Sequence, residues 1–366
     1  MKKHYYLGLN SRKRHAWRHL VTFGSRRDYL ALGEALSAKY GGTAILAKNG
    51  RTALALALKA YFQRGDGIIV NGFTCYAVIE AVKAAGCVPV YADINRETLN
   101  FDLDTLESDD LGAHTKGIIV QNTLGIPVDM GAVEEFARKH NLIIIEDLAH
   151  SAGVRYPDGR EAGTVGAATI LSFGKDKAID AISGGAVIYR TPPIYKTTNR
   201  QPLGRPKLSD SLRERFYPLF AGAVRGLAHV HLGGFLMRIL LGLRFVEKSA
   251  DNRLDFTRRM PYFEAKIALR QLPTCRGVDR DFCLVHDREK CLAELKRAGY
   301  HFAGFWYEKP VSPERYYQKV KFPEGKCKVA TEVAKQIVNI PTYYSRGELK
   351  KAREIIKKYE ITEETA

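Results

Sequence analysis

"LSFGKDKAIDAISGGAVIYR", residues 171–190, places two lysines two positions apart, Lys175 and Lys177, in a short connection between two apolar runs. The connection closes on a Gly–Gly pair, and the flanking runs read as closely spaced buried strands. Two cations in so short a loop between buried strands ask for a purpose. The text on either side narrows what that purpose is.

Upstream, from residue 42, apolar strand-like runs alternate with helical periods. "TAILA" precedes "GRTALALALKAYFQRG", and "GIIVNGF" precedes "CYAVIEAVKAAG". "VPVYAD", "KGIIVQNTLG" and "LIIIEDLAHSAG" follow, with "MGAVEEFARKHN" as a helix between the last two. Uninterrupted Val/Ile runs predict strands covered on both faces of a largely parallel sheet. Residues 191–258 break the rhythm with Pro-rich, basic text, and from "RRMPYFEAKIALRQL" onward the pattern becomes α+β. The expected class is α/β: a large domain with a mostly parallel central sheet flanked by helices, plus a smaller α+β C-terminal domain. The expected divisions are a basic arm and first helix over 1–41, a large domain over 42–200, a basic amphipathic insert over 201–258, and a small domain over 259–366.

Charge is unevenly placed. Residues 1–27 carry eight Lys/Arg and no acid, and residues 190–259 carry fourteen against five acids; together they account for the whole formal charge of +17. Six scattered cysteines lack paired CxxC spacing, which points to reduced thiols in the cytoplasm and to no metal centre. The N-terminus lacks the apolar core of a signal peptide, and no run reaches the ~18 apolar residues of a membrane span.

Ligands of open α/β sheets gather at the carboxyl ends of parallel strands. The polar residues there include Asn71, Thr74, Asp93, Gln121, Asn122, Asp147, His150, Ser172 and Lys177. Asp147 follows "LIIIE", where a carboxylate is desolvated and requires a partner. "NGRTAL", residues 49–54, puts a glycine turn at a helix start, a ready phosphate site. No GxGxxG follows a strand and no GxxxxGK[ST] exists, which argues against dinucleotide binding and P-loop hydrolysis. A phosphate cradle, a buried acid and a lysine on a later loop are together what pyridoxal 5'-phosphate requires: the amine bonds the aldehyde, and the acid keeps the pyridine nitrogen protonated.

The chain resembles the DegT/DnrJ/EryC1/StrS family of pyridoxal-phosphate-dependent sugar aminotransferases, which have the aspartate aminotransferase fold (fold type I). The resemblance covers about residues 45–190 and 256–355. "NGRTALALAL", "GIIVNGFTCYAVIEAV" and "QNTLGIPVDMGAVEEFARKHNLIIIEDLAHSAG" carry it, as do "SFGKDKAIDAISGGAV" and the C-terminal "RRMPYFEAKIALRQL" and "VNIPTYYS". In this register the family lysine lies five residues after the serine and seven before the first glycine of the pair. Lys177 satisfies both spacings and Lys175 neither.

The resemblance implies that Arg51, Thr52 and Ser172 hold the phosphate, that Asp147 faces the ring nitrogen, and that His150 lies near the ring's phenolic oxygen. Asn122 is implied on the substrate side. An aromatic residue usually follows Thr74; Cys75 stands here, so Tyr76 is the expected stacking ring. The family's Asn-x-Arg-Met element, which reaches the partner subunit's phosphate, reads "TRRM", with Thr257 in place of the amide and Arg259 retained. The implied activity moves an amino group, from glutamate, to a nucleotide-linked 4-keto-6-deoxyhexose in a homodimer. Relatives that dehydrate sugars on this fold carry His where Lys177 stands. A degenerate fold that binds polyanions is the alternative of another class, although no nucleic-acid motif is present.

Residues 211–245 combine Arg with Phe, Leu and Ile and contain no acid after Glu214. Two readings stay open for them. They are helices packed in the dimer or over the site, with Arg heads in solvent, or interfacial helices giving peripheral contact with an anionic membrane.

Overall fold

The computed structural model describes residues 3–6, 13–107, 110–175, 177–195, 204–228, 232–246, 253–278, 281–303, 306–340 and 346–361. Parts of the basic arm and the end of "VNIPTYYS" lie outside these residues.

Strand β1 (Lys3–Tyr6) and helices α1 (Lys13–Val21) and α2 (Arg26–Tyr40) lead into β2 (Thr43–Ala47) and α3 (Gly50–Tyr61). Next come β3 (Gly67–Asn71), the short β4 (Thr74–Cys75), α4 (Tyr76–Ala84), β5 (Val88–Ala92) and β6 (Thr115–Gln121). α5 (Met130–Lys139), β7 (Ile143–Asp147), β8 (Ala168–Ser172) and β9 (Gly185–Tyr189) complete the alternation. The insert forms α6 (Leu208–Ala228) and α7 (Gly233–Gly242), and α8 (Tyr262–Gln271) follows. The C-terminal part holds β10 (Asp281–Leu284), α9 (Arg288–Arg297), β11 (Tyr300–Ala303), β12 (Val311–Ser312), α10 (Glu314–Val320), α11 (Lys328–Gln336), β13 (Ile337–Ile340) and α12 (Arg346–Lys357).

Seven strands form the central sheet in the order β2-β9-β8-β7-β6-β3-β5. β9 is antiparallel to both its neighbours, and the other pairings are parallel. Alternate residues of each strand feed opposite cores, because the side-chain period of a strand is two. Ile68, Val70, Ile119 and Ile145 face the core containing α3 and α4. Ile69, Ile118 and Val120 face the core containing α2 and α5. Each such side chain, fully buried, contributes about 1.5–3 kcal/mol, so both faces of the sheet must be covered. That is why the runs are continuous rather than alternating.

α8, expected at the start of the small domain, packs instead in the α2/α5 core through Phe263, Ala265, Ile267 and Ala268. The small-domain core is built from β10, α9, β13 and α12, where Val285, Leu295, Val338 and Ile355 meet. The α6–α7 hairpin has its own small core of Val224, Leu240 and Val246.

Candidate active site

The parallel strands end side by side, so Gln121, Asp147 and Ser172 close β6, β7 and β8 at one edge of the sheet. β9 runs the other way and therefore starts there, with Gly185 opposite Ser172. A cavity of about 410 Å³ opens at this edge, lined by Asn49–Arg51, Gln121, Asp147, His150, Ser172 and Lys177 among others. Its size lies within the ~300–1,000 Å³ typical of small-molecule sites.

One wall is the start of α3. The Asn49 side chain accepts from the Thr52 amide at 2.9 Å, capping the helix. A side chain on Gly50 would lie 2.6 Å from the Ser172 Cβ, and one on Gly185 would lie 2.6 Å from the Gly50 nitrogen. These glycines let the helix terminus, the end of β8 and the start of β9 converge. The result brings backbone at the positive end of a helix dipole next to a hydroxyl, the chemistry of a phosphate cradle. Arg51 lines the cavity and pairs with Glu80. The Thr52 hydroxyl accepts from the Asp255 amide at 3.1 Å, so both polar groups of Thr52 are engaged within the chain.

At the floor, the Asp147 carboxylate accepts from the Ala149 amide at 2.9 Å and from Gln121 Nε2 at 3.2 Å. Gln121 is itself oriented by the Thr74 hydroxyl, which donates at 2.7 Å. Burial raises the Asp147 pKa, and the Ala149 amide, the Lys177 charge and Gln121 pull in the opposite direction. A buried carboxylate held this way favours a cationic partner in the cavity.

Lys177 Nζ lies 2.9 Å from His150 Nε2. The Trp306 ring completes a cluster, 4.7 Å from Lys177 Nζ and 4.9 Å from the His150 ring. Lys175 turns away from this cluster, its Nζ 3.7 Å from the Tyr217 ring of α6. The two cations of the loop thus serve different neighbours.

The remaining expected residues lie as follows. Asn122 borders the cavity, but its amide donates to Ser151 Oγ at 2.9 Å and its oxygen accepts from the Val128 amide at 3.0 Å, which fixes the adjacent loop. Tyr76 stacks on Tyr316 at 4.3 Å and is not among the cavity residues, whereas its neighbours Cys75 and Ala77 are. Thr257 is held by Asp255 through its amide and hydroxyl. The Arg259 guanidinium lies over the Tyr262 ring at 3.8 Å and the Tyr29 ring at 5.1 Å. Thr257 and Arg259 are thus outside the cavity of their own chain. Asp93 caps α11, accepting from the Val329 and Ala330 amides.

Trp306 escaped sequence reasoning. Asn339 of β13 clamps it through its backbone, accepting from Trp306 N at 2.6 Å. No spacing in the chain announces that contact.

Residues 26–202 match the family model of the DegT/DnrJ/EryC1/StrS aminotransferase family. GDP-perosamine synthase of Escherichia coli O157:H7 is 34% identical over 148 residues, 40% of each chain. A pleiotropic regulatory protein of Geobacillus stearothermophilus is 26% identical over 86% of this chain and 84% of its own. The matched region thus spans about two fifths of that perosamine synthase. Among solved structures, the PLP form of a sugar aminotransferase from Streptococcus pneumoniae superposes with a TM-score of 0.67 at 16% identity, covering 98% of both chains. The GDP-4-keto-6-deoxy-D-mannose-3-dehydratase of E. coli gives 0.66 at 15% identity, over 97% of this chain and 100% of its own. At such identities these likenesses speak for the fold, that of the fold type I PLP-dependent transferases.

The cavity fits the phosphate, ring nitrogen and aldehyde of pyridoxal phosphate in turn. The α3 terminus with Ser172 suits the phosphate, the buried Asp147 suits a protonated ring nitrogen, and Lys177 supplies the amine.

Proposed function

We propose that this chain is a pyridoxal-phosphate-dependent aminotransferase that moves an amino group from an amino acid, glutamate, to a nucleotide-linked keto-sugar. The observation that carries the reading is the convergence, at one sheet edge, of the Lys177–His150 pair, the buried Asp147 and the glycine-permitted cradle. The family match over residues 26–202 supports it, as does the likeness to GDP-perosamine synthase.

Bound there, the cofactor supplies an electron sink for the carbon that loses a proton. Ser172 and the α3 terminus hold its phosphate. Asp147, kept in place by Gln121 and Ala149, offers its carboxylate to the ring nitrogen. Lys177 Nζ would hold the cofactor at its aldehyde carbon and is the amine placed to take and return a proton. His150 Nε2, at 2.9 Å, fixes the direction of that amine. Trp306 screens the pair from water. The enzyme works as a cytoplasmic homodimer, with Thr257 and Arg259 directed to the partner's phosphate.

The test is a spectrum of the purified chain incubated with pyridoxal phosphate, followed by a screen of keto-sugar nucleotides with glutamate. A visible band lost on borohydride treatment, and 2-oxoglutarate formed only with a keto-sugar, are expected. A chain that takes up no cofactor refutes the proposal.

A further inference from the structure

The α6–α7 hairpin is apolar on the side turned away from the protein. Ten of the sixteen exposed large apolar side chains among the described residues fall between 208 and 245. On α6 the exposed Leu208, Leu212, Phe216, Leu219 and Leu227 recur at intervals of four, four, three and eight residues, with exposed Ala223 in the gap. That spacing is one stripe of a helix. On α7, Leu232, Phe235, Ile239 and Leu243 form a second stripe at three, four and four. The opposite faces are already used: Val224, Leu240 and Val246, with Tyr217 and Phe220, make the hairpin's own core. An apolar outer stripe is therefore additional to what folding requires.

Two further observations say what covers it. The stripes are bordered by cations: Arg205, Lys207, Arg238 and Arg244 are exposed, and among the described residues none has an acidic partner. The hairpin's two acids do not offset them. Glu214 is turned inward to Lys48 at 2.6 Å, and the half-buried Asp210 lines a polar cavity at the base of the hairpin together with Lys207 and Arg244. Arg215 ties α1 to α6, donating to the Leu20 and Thr22 carbonyls at 2.8 and 3.0 Å. Trp17, Val21 and Phe23, in and just after α1, are exposed. No helix among the described residues is long and apolar enough to cross a membrane.

We infer that this face docks on an anionic bilayer, the helices lying in the headgroup boundary rather than spanning it. Apolar stripes enter the acyl edge while the bordering Arg and Lys meet lipid phosphates. A second copy of the chain is the poorer occupant. A two-fold interface sets a patch against itself, which here brings four exposed cations against their own copies, with Glu214 engaged by Lys48 and Asp210 half-buried. The inference stands on the hairpin alone and does not depend on the enzymatic reading.

The test is flotation of the full chain with vesicles of phosphatidylglycerol and phosphatidylcholine, against phosphatidylcholine alone, at low and high salt. The chain is expected to float with the anionic vesicles and to be released by salt. Arg238→Ala is expected to weaken partitioning about fivefold, and Phe235→Asp with Ile239→Asp by tenfold or more. Both changes lie at exposed positions, and unchanged thermal melting confirms that the fold survives. Failure to float at low salt overturns the inference. So does flotation that these variants leave unaltered, or self-association in solution that the same variants abolish while vesicles bind nothing.

Discussion

Lys177 Nζ and His150 Nε2 stand 2.9 Å apart across the mouth of β7 and the following loop, while Lys175, two residues earlier, packs on Tyr217. The pair joins a β7-end residue to the loop after β8, and it distinguishes the lysine of the proposed chemistry from the one that packs on α6. Lys177→Ala is expected to remove the visible cofactor band and to lower turnover by about 10²–10⁴-fold. Lys175→Ala is expected to retain the band while losing the ~0.5–2 kcal/mol of its contact with Tyr217. Absorbance spectra and steady-state rates of the two variants decide between the lysines.

Asp147 is held by one amide and one side-chain amide in a buried site. Asp147→Asn keeps the shape and removes the charge. Cofactor affinity is expected to fall by about 1.5–3 kcal/mol, the worth of a hydrogen bond to a charged group. Titration of the apoprotein with pyridoxal phosphate measures it, and affinity equal to that of the parent chain would contradict the role.

Gly50 has no room for a methyl group, since Ser172 Cβ would lie 2.6 Å away. Gly50→Ala is expected to push α3 from β8 at a cost of about 1–3 kcal/mol, and to impair cofactor uptake beyond what the stability loss explains. Denaturant unfolding set beside cofactor titration separates the two effects.

Tyr76 rests on Tyr316 and Trp306 on the Lys177–His150 pair. Trp306→Ala is therefore expected to change the cofactor spectrum and its pH dependence, whereas Tyr76→Ala leaves both in place. The opposite pattern would return the stacking role to Tyr76.

Glu264 is fully buried, and neither carboxyl oxygen has a hydrogen-bond partner among the described residues. Burial, reinforced by the charge of Glu214, raises its pKa well above 4.5. The native state then binds a proton that the unfolded chain releases, so stability falls as pH rises from 4.5 toward the raised native value. Glu264→Gln is expected to flatten that decline and to gain about 1–3 kcal/mol above the window. Unfolding curves across pH test this; an unchanged slope would show that another group sets it.

Much of this was legible in the chain because it follows from local periods. Continuous runs such as Gly67–Asn71 and Ile143–Asp147 announce strands covered twice, and ligand chemistry collects where such strands end. Ser172, Lys177 and the glycine pair lie within one short loop, so their spacing carries information directly. Trp306 could not be read this way. Its position depends on Asn339 and on how the small domain meets the sheet edge, a relation with no linear period. α8 likewise reads as the start of a new domain by composition, yet its apolar face is complementary to α2. For residues 211–245 composition left two environments open, and the outward stripes became visible only once the inward face was known.

The Lys48–Glu214 contact has a consequence for assembly. One ammonium lies between two carboxyls, one from the hairpin and one, Glu264, from α8; Glu214 takes the ion pair, and burial leaves Glu264 favouring its neutral form. Were the hairpin lifted away, Lys48 would have Glu264 as its remaining neighbour of opposite sign, and the acid would ionise. Seating the insert on the large domain is thus coupled to the uptake of a proton, and alkaline conditions loosen the junction from the inside.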